Sequence, residues 1–467
     1  MKLSSKVLLA MAISSITATA YAEPASQQFV PTTLANASAQ SEAKGFIEDF
    51  SLGGTTRNWY SHESLYRGGK FKYKEHGVAK TDRNRTNWIQ GTILNASSGF
   101  TQGTVGVKTE VAVYNALVLD RSKRDIKGGS NRTLADSDGN AVDQWSKLGL
   151  ANVQFRVSNT TLTAGRQNFS SGIVDTIGNR PLPSSFQGVS FNSEEFSNLS
   201  FQGGVFDRVS PRSEQSLSKF RSEYSQQGAN SATTDKVYTL GANYQPFESL
   251  KTSFFGANVK DFWNQYYFGA THQLGDSQVL ALTTGLNYYK TVDEGKKLMG
   301  EIDNDTYSLS LGLAHQAHSL TFSYQQVNGN EYFDYLHETN GIYLANSLTS
   351  DFNGPNEKSF QVAYAINMAE YGVPGLKFNI YSARGWGIDG THYTGNSNGA
   401  YAYTGIETQD GEKHQEYGVG AAYAVQSGPL KATAIRATYV EHRGSANQFD
   451  GSVKEFRLVT TVPFNIL

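Results

Sequence analysis

Cysteine is absent from all 467 residues. No disulfide can staple the fold, and no thiol chemistry is available. Long apolar runs are missing as well. No window holds the ~18 consecutive apolar residues that a spanning helix requires. Neither sign of charge dominates, with 40 Lys and Arg against 42 Asp and Glu. There is no basic run and no nucleic-acid motif, so a nucleic-acid partner is not expected. The supply of apolar residues is also thin for a globular core of this length, at 38% hydrophobic with a mean hydropathy of −0.44.

What the chain does have is aromatic side chains and glycine, with 26 Tyr, 26 Phe and 46 Gly beside only 10 Pro. Few apolar residues overall, yet many aromatic ones, fit a membrane β-barrel, which buries a thin outer band and leaves its interior wet. On composition alone, a polar secreted β-solenoid or sandwich array is the alternative.

The N-terminus sets the compartment. Lys2 and Lys6 precede a short apolar core from Val7 to Ile13, and Ala20-Tyr21-Ala22 fits a small-x-small cleavage site. Residues 1–22 therefore read as a secretory signal peptide. Losing Lys2 and Lys6 takes the basic count from 40 to 38 against 42 acidic groups, about −4 for the mature chain. Residues 23–44 are polar and irregular, which predicts a flexible periplasmic lead-in, and residues 45–467 form one barrel.

A period of two recurs from end to end. Val105, Val107, Val111, Val113 and Leu117 share one parity, and Gly106, Lys108, Glu110, Ala112 and Tyr114 the other. The first set suits lipid and the second water. The same alternation returns at 151–157, 199–208, 307–313, 359–366, 416–425 and 455–462. Short turns, such as 158–160, 275–277 and 316–317, interleave with long polar stretches at 61–84, 121–146, 168–186, 210–235, 328–357 and 388–412. Short turns at one end and long loops at the other belong to outer-membrane barrels. Counting strands this way gives about eighteen, an even number. Such a sheet must close, because an open edge cannot be satisfied in lipid. The expected fold is therefore an all-β transmembrane antiparallel barrel of about 18 strands, with long extracellular loops.

Lumen-facing charge supplies the candidate site. By parity, Arg57, Lys108, Arg156, Arg208, Arg436 and Arg457 point inward. A ladder of such groups can pass an anion along, and Arg suits carboxylates because its planar fork binds both oxygens and stays charged. A pore works best with several moderate sites, so that the ligand can leave. Parity leaves open whether these cations instead pair with Glu110, Glu416 and Glu455. The loop 168–186 is the second candidate. It carries Asp175, Asn179, Arg180, Pro181, Leu182 and Pro183, and its two prolines stiffen it enough to fold inward and narrow the pore.

Two motif matches carry no chemistry. Gly395-Asn396-Ser397-Asn398-Gly399 fits G-x-S-x-G, but no strand–turn–helix surrounds it. Asp136-Ser137-Asp138-Gly139-Asn140 echoes a calcium loop, yet Lys147 stands where the bidentate Glu is needed. The nine histidines are scattered without metal-ligand spacing, so no metal and no cofactor are expected.

Several stretches resemble the OprD/Occ family of substrate-specific outer-membrane channels. They include Gly45-Phe46-Ile47-Glu48-Asp49, Ser98-Gly99-Phe100-Thr101-Gln102-Gly103, Arg180-Pro181-Leu182-Pro183-Ser184-Ser185-Phe186, Phe333-Asp334-Tyr335, Ser350-Asp351-Phe352-Asn353-Gly354-Pro355-Asn356-Glu357 and Arg384-Gly385-Trp386-Gly387. They run in family order over essentially the whole mature chain. The resemblance implies a monomeric eighteen-stranded barrel with an inward-folded constriction loop at 168–186 and a basic wall ladder. It also implies passive uptake of small carboxylate-bearing nutrients such as amino acids or aromatic acids, with carbapenem entry in some members. The family ladder maps onto Arg57, Arg156, Arg180, Arg384 and Arg436. Two departures stand out. Tyr381 occupies a place where the family often has arginine, and Leu467 ends the chain where it usually has phenylalanine. Arg384 shares parity with Phe378 and Ile380, so it faces inward only if the strand is bulged or has ended.

The resulting expectation is a passive outer-membrane channel for small anionic or zwitterionic solutes, seated in outer-membrane lipid and lipopolysaccharide and inserted by the barrel-assembly machinery. A general diffusion pore without charge selectivity is the alternative within the class. An outer-membrane hydrolase is the alternative outside it, and a plugged structural barrel is a third.

Overall fold

The computed structural model describes residues 38–75, 78–121, 134–138, 140–225, 231–395 and 400–467. The signal-peptide expectation and most of the lead-in thus lie outside the described residues, as does Asn396–Gly399 of the G-x-S-x-G match.

Eighteen antiparallel strands form one sheet, each paired with its neighbours in chain order. The first strand, Ser51–Leu65, pairs both with Asn84–Ser97 and with the last, Ser452–Asn465, so the sheet closes on itself. Closure removes the unpaired edges that lipid would not tolerate. A separate hairpin, Phe71–Glu75 with Val78–Asp82, stands in the first extracellular loop.

Alternation decides which side chains face out. Val111, Val113, Val153, Phe155, Leu309, Leu311, Tyr417 and Val419 are large apolar groups exposed on the outer wall. Their inward neighbours, such as Ser308, Ser359, Gln361 and Glu416, are buried. Aromatic residues mark both ends of the band, as membrane-barrel girdles do. Trp88, Tyr266 and Tyr288 are exposed toward the extracellular end, and Phe247, Tyr364, Tyr371 and Tyr423 toward the periplasmic end.

The long-and-short alternation of connections holds with one difference. The extracellular connections at 260–262, 294–302 and 445–451 are short. Among the described residues, those of the longer ones at 168–184, 211–225, 231–236, 329–357, 390–395 and 400–409 turn into the bore. There Phe169, Ile173, Phe220, Tyr224, Tyr332, Phe333, Leu336 and Tyr401 pack into one apolar cluster with wall residues Phe206, Phe255 and Tyr289. Bridges Thr176–Thr339 and Ser222–Leu336 stitch the loops together. A channel wall cannot supply a core of its own, so the loops provide one.

Candidate functional site

The loop 168–184 crosses the bore. Counted around the barrel, the strand Trp263–Asp276 lies nine places from Ser51–Leu65 in either direction, so the two face each other. On the far side the loop meets Tyr267. Gly172 lies so close that an added Cβ would come within 2.1 Å of the Tyr267 ring, a space that only glycine leaves open. The Tyr289 hydroxyl donates to the Gly172 carbonyl at 2.8 Å and accepts from the Tyr343 amide at 3.0 Å. Asp175 is buried here and accepts from the Tyr343 hydroxyl at 2.7 Å and the Asn340 amide side chain at 3.3 Å. Burial pushes the Asp175 carboxyl up to about 6 despite those bonds.

On the near side the loop meets Arg57. This guanidinium donates to the carbonyls of Gly178 at 2.6 Å and Arg180 at 2.9 Å, and to the Thr461 hydroxyl at 3.1 Å. Pro181 presses against the wall at Gly91, where an added Cβ would come within 2.6 Å of its carbonyl oxygen. Leu182 inserts among Ile89, Tyr114 and Leu150, and Pro183 is half-buried beside it. Asn179 accepts from Arg212, which forms a buried ion pair with Glu338 at 2.7 Å. These contacts anchor the loop to both walls and to the loop 329–357.

Where the loop meets the near wall, two cations flank one ring, beside Arg57. Arg180 lies 5.8 Å and Arg457 5.6 Å from the centre of the buried Trp59 ring, on the same strand as Arg57. Such contacts help hold a guanidinium away from bulk water. Arg457 also pairs with Glu455 at 2.8 Å. Glu110 is instead held by Asn95 and Asn152, and Glu416 by Tyr381 and the amides of Thr349 and Ser350.

The other inward cations continue along this wall. Arg436 shares the inward parity of the buried Thr438 and Val440. Lys108 and Arg156 gather at the periplasmic end around Phe100, with Arg156 3.8 Å from the ring centre. Arg156 also donates to Gln40 at 3.1 Å, and the Gln40 side chain donates onward to the carbonyls of Thr101 and Gly103. Residues 38–44 of the predicted lead-in therefore include a buried contact with the periplasmic turn. Arg436, Arg457, Arg57, Lys108 and Arg156 all lie on six consecutive strands.

Two expected ladder members stand elsewhere. Arg208 follows a bulge at Asp207, where Gly188 pairs with Phe206 but Gln187 pairs with Arg208. The extra residue inverts the alternation, so Phe186 and Val209 take the buried inward positions and Arg208 faces out. Arg384 is exposed on the outer wall opposite Phe360. A bulge does occur, but at Gly387, beyond Arg384, with φ +75°. Tyr289 faces the lumen and is sealed under the crossing loop. The sequence pattern singles out none of Trp59, Tyr343 and Gln40, and Phe100 only within a family stretch. For Trp59 the signal was present, since it shares parity with Arg57. The Asp136 turn is held by its own carboxylate, which accepts from the amides of Asp138 and Asn140, each at 2.9 Å.

A closed barrel with aromatic girdles and a loop narrowing its bore is the architecture of an outer-membrane channel. The chain matches the profile of the outer membrane porin, OprD family, over residues 44–466. Porin D of Pseudomonas aeruginosa is 37% identical over 440 residues, which span 92% of this chain and 94% of that protein. The crystal structure of Pseudomonas aeruginosa OccD3 (OpdP) superposes with a TM-score of 0.81 at 44% identity, covering 96% of this chain and 98% of that one. That of Pseudomonas aeruginosa OpdK with vanillate gives 0.75 at 25% identity, covering 90% and 100%. The protein belongs to the OprD family of substrate-specific outer-membrane porins and resides in the bacterial outer membrane. It is a channel, not an enzyme.

Proposed function

We propose that this porin takes up small solutes bearing a carboxylate, handed along the basic wall from the constriction to the periplasm, and that it works as a monomer. The observation that carries this reading is the placement of Arg180 and Arg457 against Trp59, with Arg57 bonded to the Arg180 carbonyl, at the point where the crossing loop meets the wall. A carboxylate entering there meets planar donors that stay charged at every ordinary pH. Arg436, and then Lys108 and Arg156, continue on the same side of the barrel. Several weak sites in series let an anion enter and leave, whereas one tight site would trap it. The vanillate in the OpdK structure is an aromatic carboxylate, which fits this solute class.

Liposome swelling tests the reading. Reconstituted protein is compared with benzoate, benzamide and a cationic amino acid, using wild type, Arg436→Gln and Arg384→Gln. Wild type admits benzoate fastest, Arg436→Gln loses most of that preference, and Arg384→Gln, on the outer wall, keeps it. Equal entry of all three solutes into wild type would make the protein a general diffusion pore.

A further inference from the structure

Two histidines that no motif connects stand side by side at the extracellular rim. His414 lies near the start of the strand Asp410–Ala424, and His442 near the end of the strand Ala434–Gly444. The register pairs His414 with Gly444 and His442 with Glu416. Both rings therefore point inward, two residues apart on adjacent strands, and both are buried. His414 Nδ1 lies 2.8 Å from His442 Nε2. Asp450, exposed on the connection 445–451, brings a carboxylate oxygen to the pair, and the three donor atoms lie within 4.8 Å of one another.

The outer partners fix the protons. His442 Nδ1 is 2.9 Å from the Gly451 carbonyl oxygen, which can only accept, so Nδ1 carries the hydrogen. His414 Nε2 contacts a carboxylate oxygen of the buried Glu357, so it too is the protonated nitrogen. In neutral rings this leaves two lone pairs facing each other. The Ser350 hydroxyl also lies 3.3 Å from His414 Nδ1, but at 2.8 Å the two nitrogens repel unless an extra proton or a metal ion lies between them. A ring nitrogen that donates outward to a carboxylate or a carbonyl, while its other nitrogen faces a common point, is how proteins orient metal-binding imidazoles. Ser350 Oγ at 2.6 Å and Gln448 Nε2 at 2.9 Å both donate to Asp450 and hold the third donor in place.

We infer that His414 Nδ1, His442 Nε2 and the Asp450 carboxylate form a binding site for a divalent transition-metal ion of the zinc type. Two imidazoles and a carboxylate suit such an ion, and water from the channel mouth completes a tetrahedron. Two nitrogens on a tetrahedral zinc at ~2.05 Å stand about 3.3 Å apart, so binding needs the rings to part by roughly half an ångström. The bound ion joins two wall strands to the connection 445–451. It also sits against the inward loop 329–357, which supplies Ser350, Glu357 and Phe352, whose ring centre is 4.3 Å from that of His414.

The test uses the whole protein, free of any histidine tag, in detergent and stripped by a chelator. Zinc is titrated calorimetrically, and cobalt(II) is followed by its visible absorption. Wild type should take up one equivalent of zinc and give the intense absorption of tetrahedral cobalt. Asp450→Asn, an exposed change that spares the fold, should weaken binding about tenfold or more. His442→Gln should abolish it, with heat-modifiable gel migration reporting that the barrel is intact. No zinc uptake by wild type would mean that the histidines share a proton instead, and would overturn the site. Uptake unaffected by both substitutions would overturn it equally.

Discussion

The crossing loop meets two unlike walls. On the Tyr267 side it is packed as protein interior, with aromatic rings against its glycine and a buried carboxyl bonded to a tyrosine. On the Arg57 side it is held by a charged group donating to backbone carbonyls. Apolar packing fixes position but offers little to a passing ion. Guanidinium anchors fix position and leave positive charge beside the bore. On the proposed function, one loop divides positioning and ion passage between its two ends.

The comparison can be broken most sharply at Arg57. Arg57→Ala deletes two charge-assisted bonds to the loop, each worth about 1.5–3 kcal/mol. Single-channel conductance should rise several-fold, with a loss of preference for anions. Unchanged conductance would show that the near-wall anchor does not hold the loop. A smaller effect is expected from Gly91→Ala, whose new Cβ meets the Pro181 carbonyl at 2.6 Å. Overpacking of this kind costs about 1–3 kcal/mol. The conductance should shift while the anion preference stays, which separates loop position from wall charge.

The smallest effect belongs to the far wall and to pH. The Asp175 carboxyl sits at about 6 in the folded protein against an ordinary 3.8. Between those values the docked loop holds a proton that the undocked loop has lost. This contribution to docking is full below about 4, falls as pH rises, and is gone above about 6. Protection factors of the loop amides, corrected for the intrinsic pH dependence of exchange, should therefore be higher at pH 5 than at pH 7, and Asp175→Asn should reduce that difference. An identical difference in the variant would assign it to other carboxyls in the loop cluster.

The barrel was legible because its signals are local. Alternation at 105–117 or 307–313 is set by successive side chains pointing to opposite faces, and it needs no knowledge of the partner strand. The inward parity of Arg57, Arg156, Arg436 and Arg457 could be read in the same way. Arg208 and Arg384 could not be settled so. One residue of bulge reverses every side chain beyond it, and neither the bulge at Asp207 nor the position of that at Gly387 is marked by the alternating pattern.

By itself, then, the sequence determined a closed antiparallel barrel, its lipid-facing and water-facing sides, and a stiff loop able to enter the bore. Only the tertiary structure decided that five cations share one third of the circumference, that Arg180 joins Arg457 at Trp59 and bonds Arg57 through its carbonyl, and that His414 meets His442. Those placements depend on the closure of the sheet, on the register between strands and on loops packing against distant walls. All three are contacts between residues far apart in the chain, and a period of two carries no record of them.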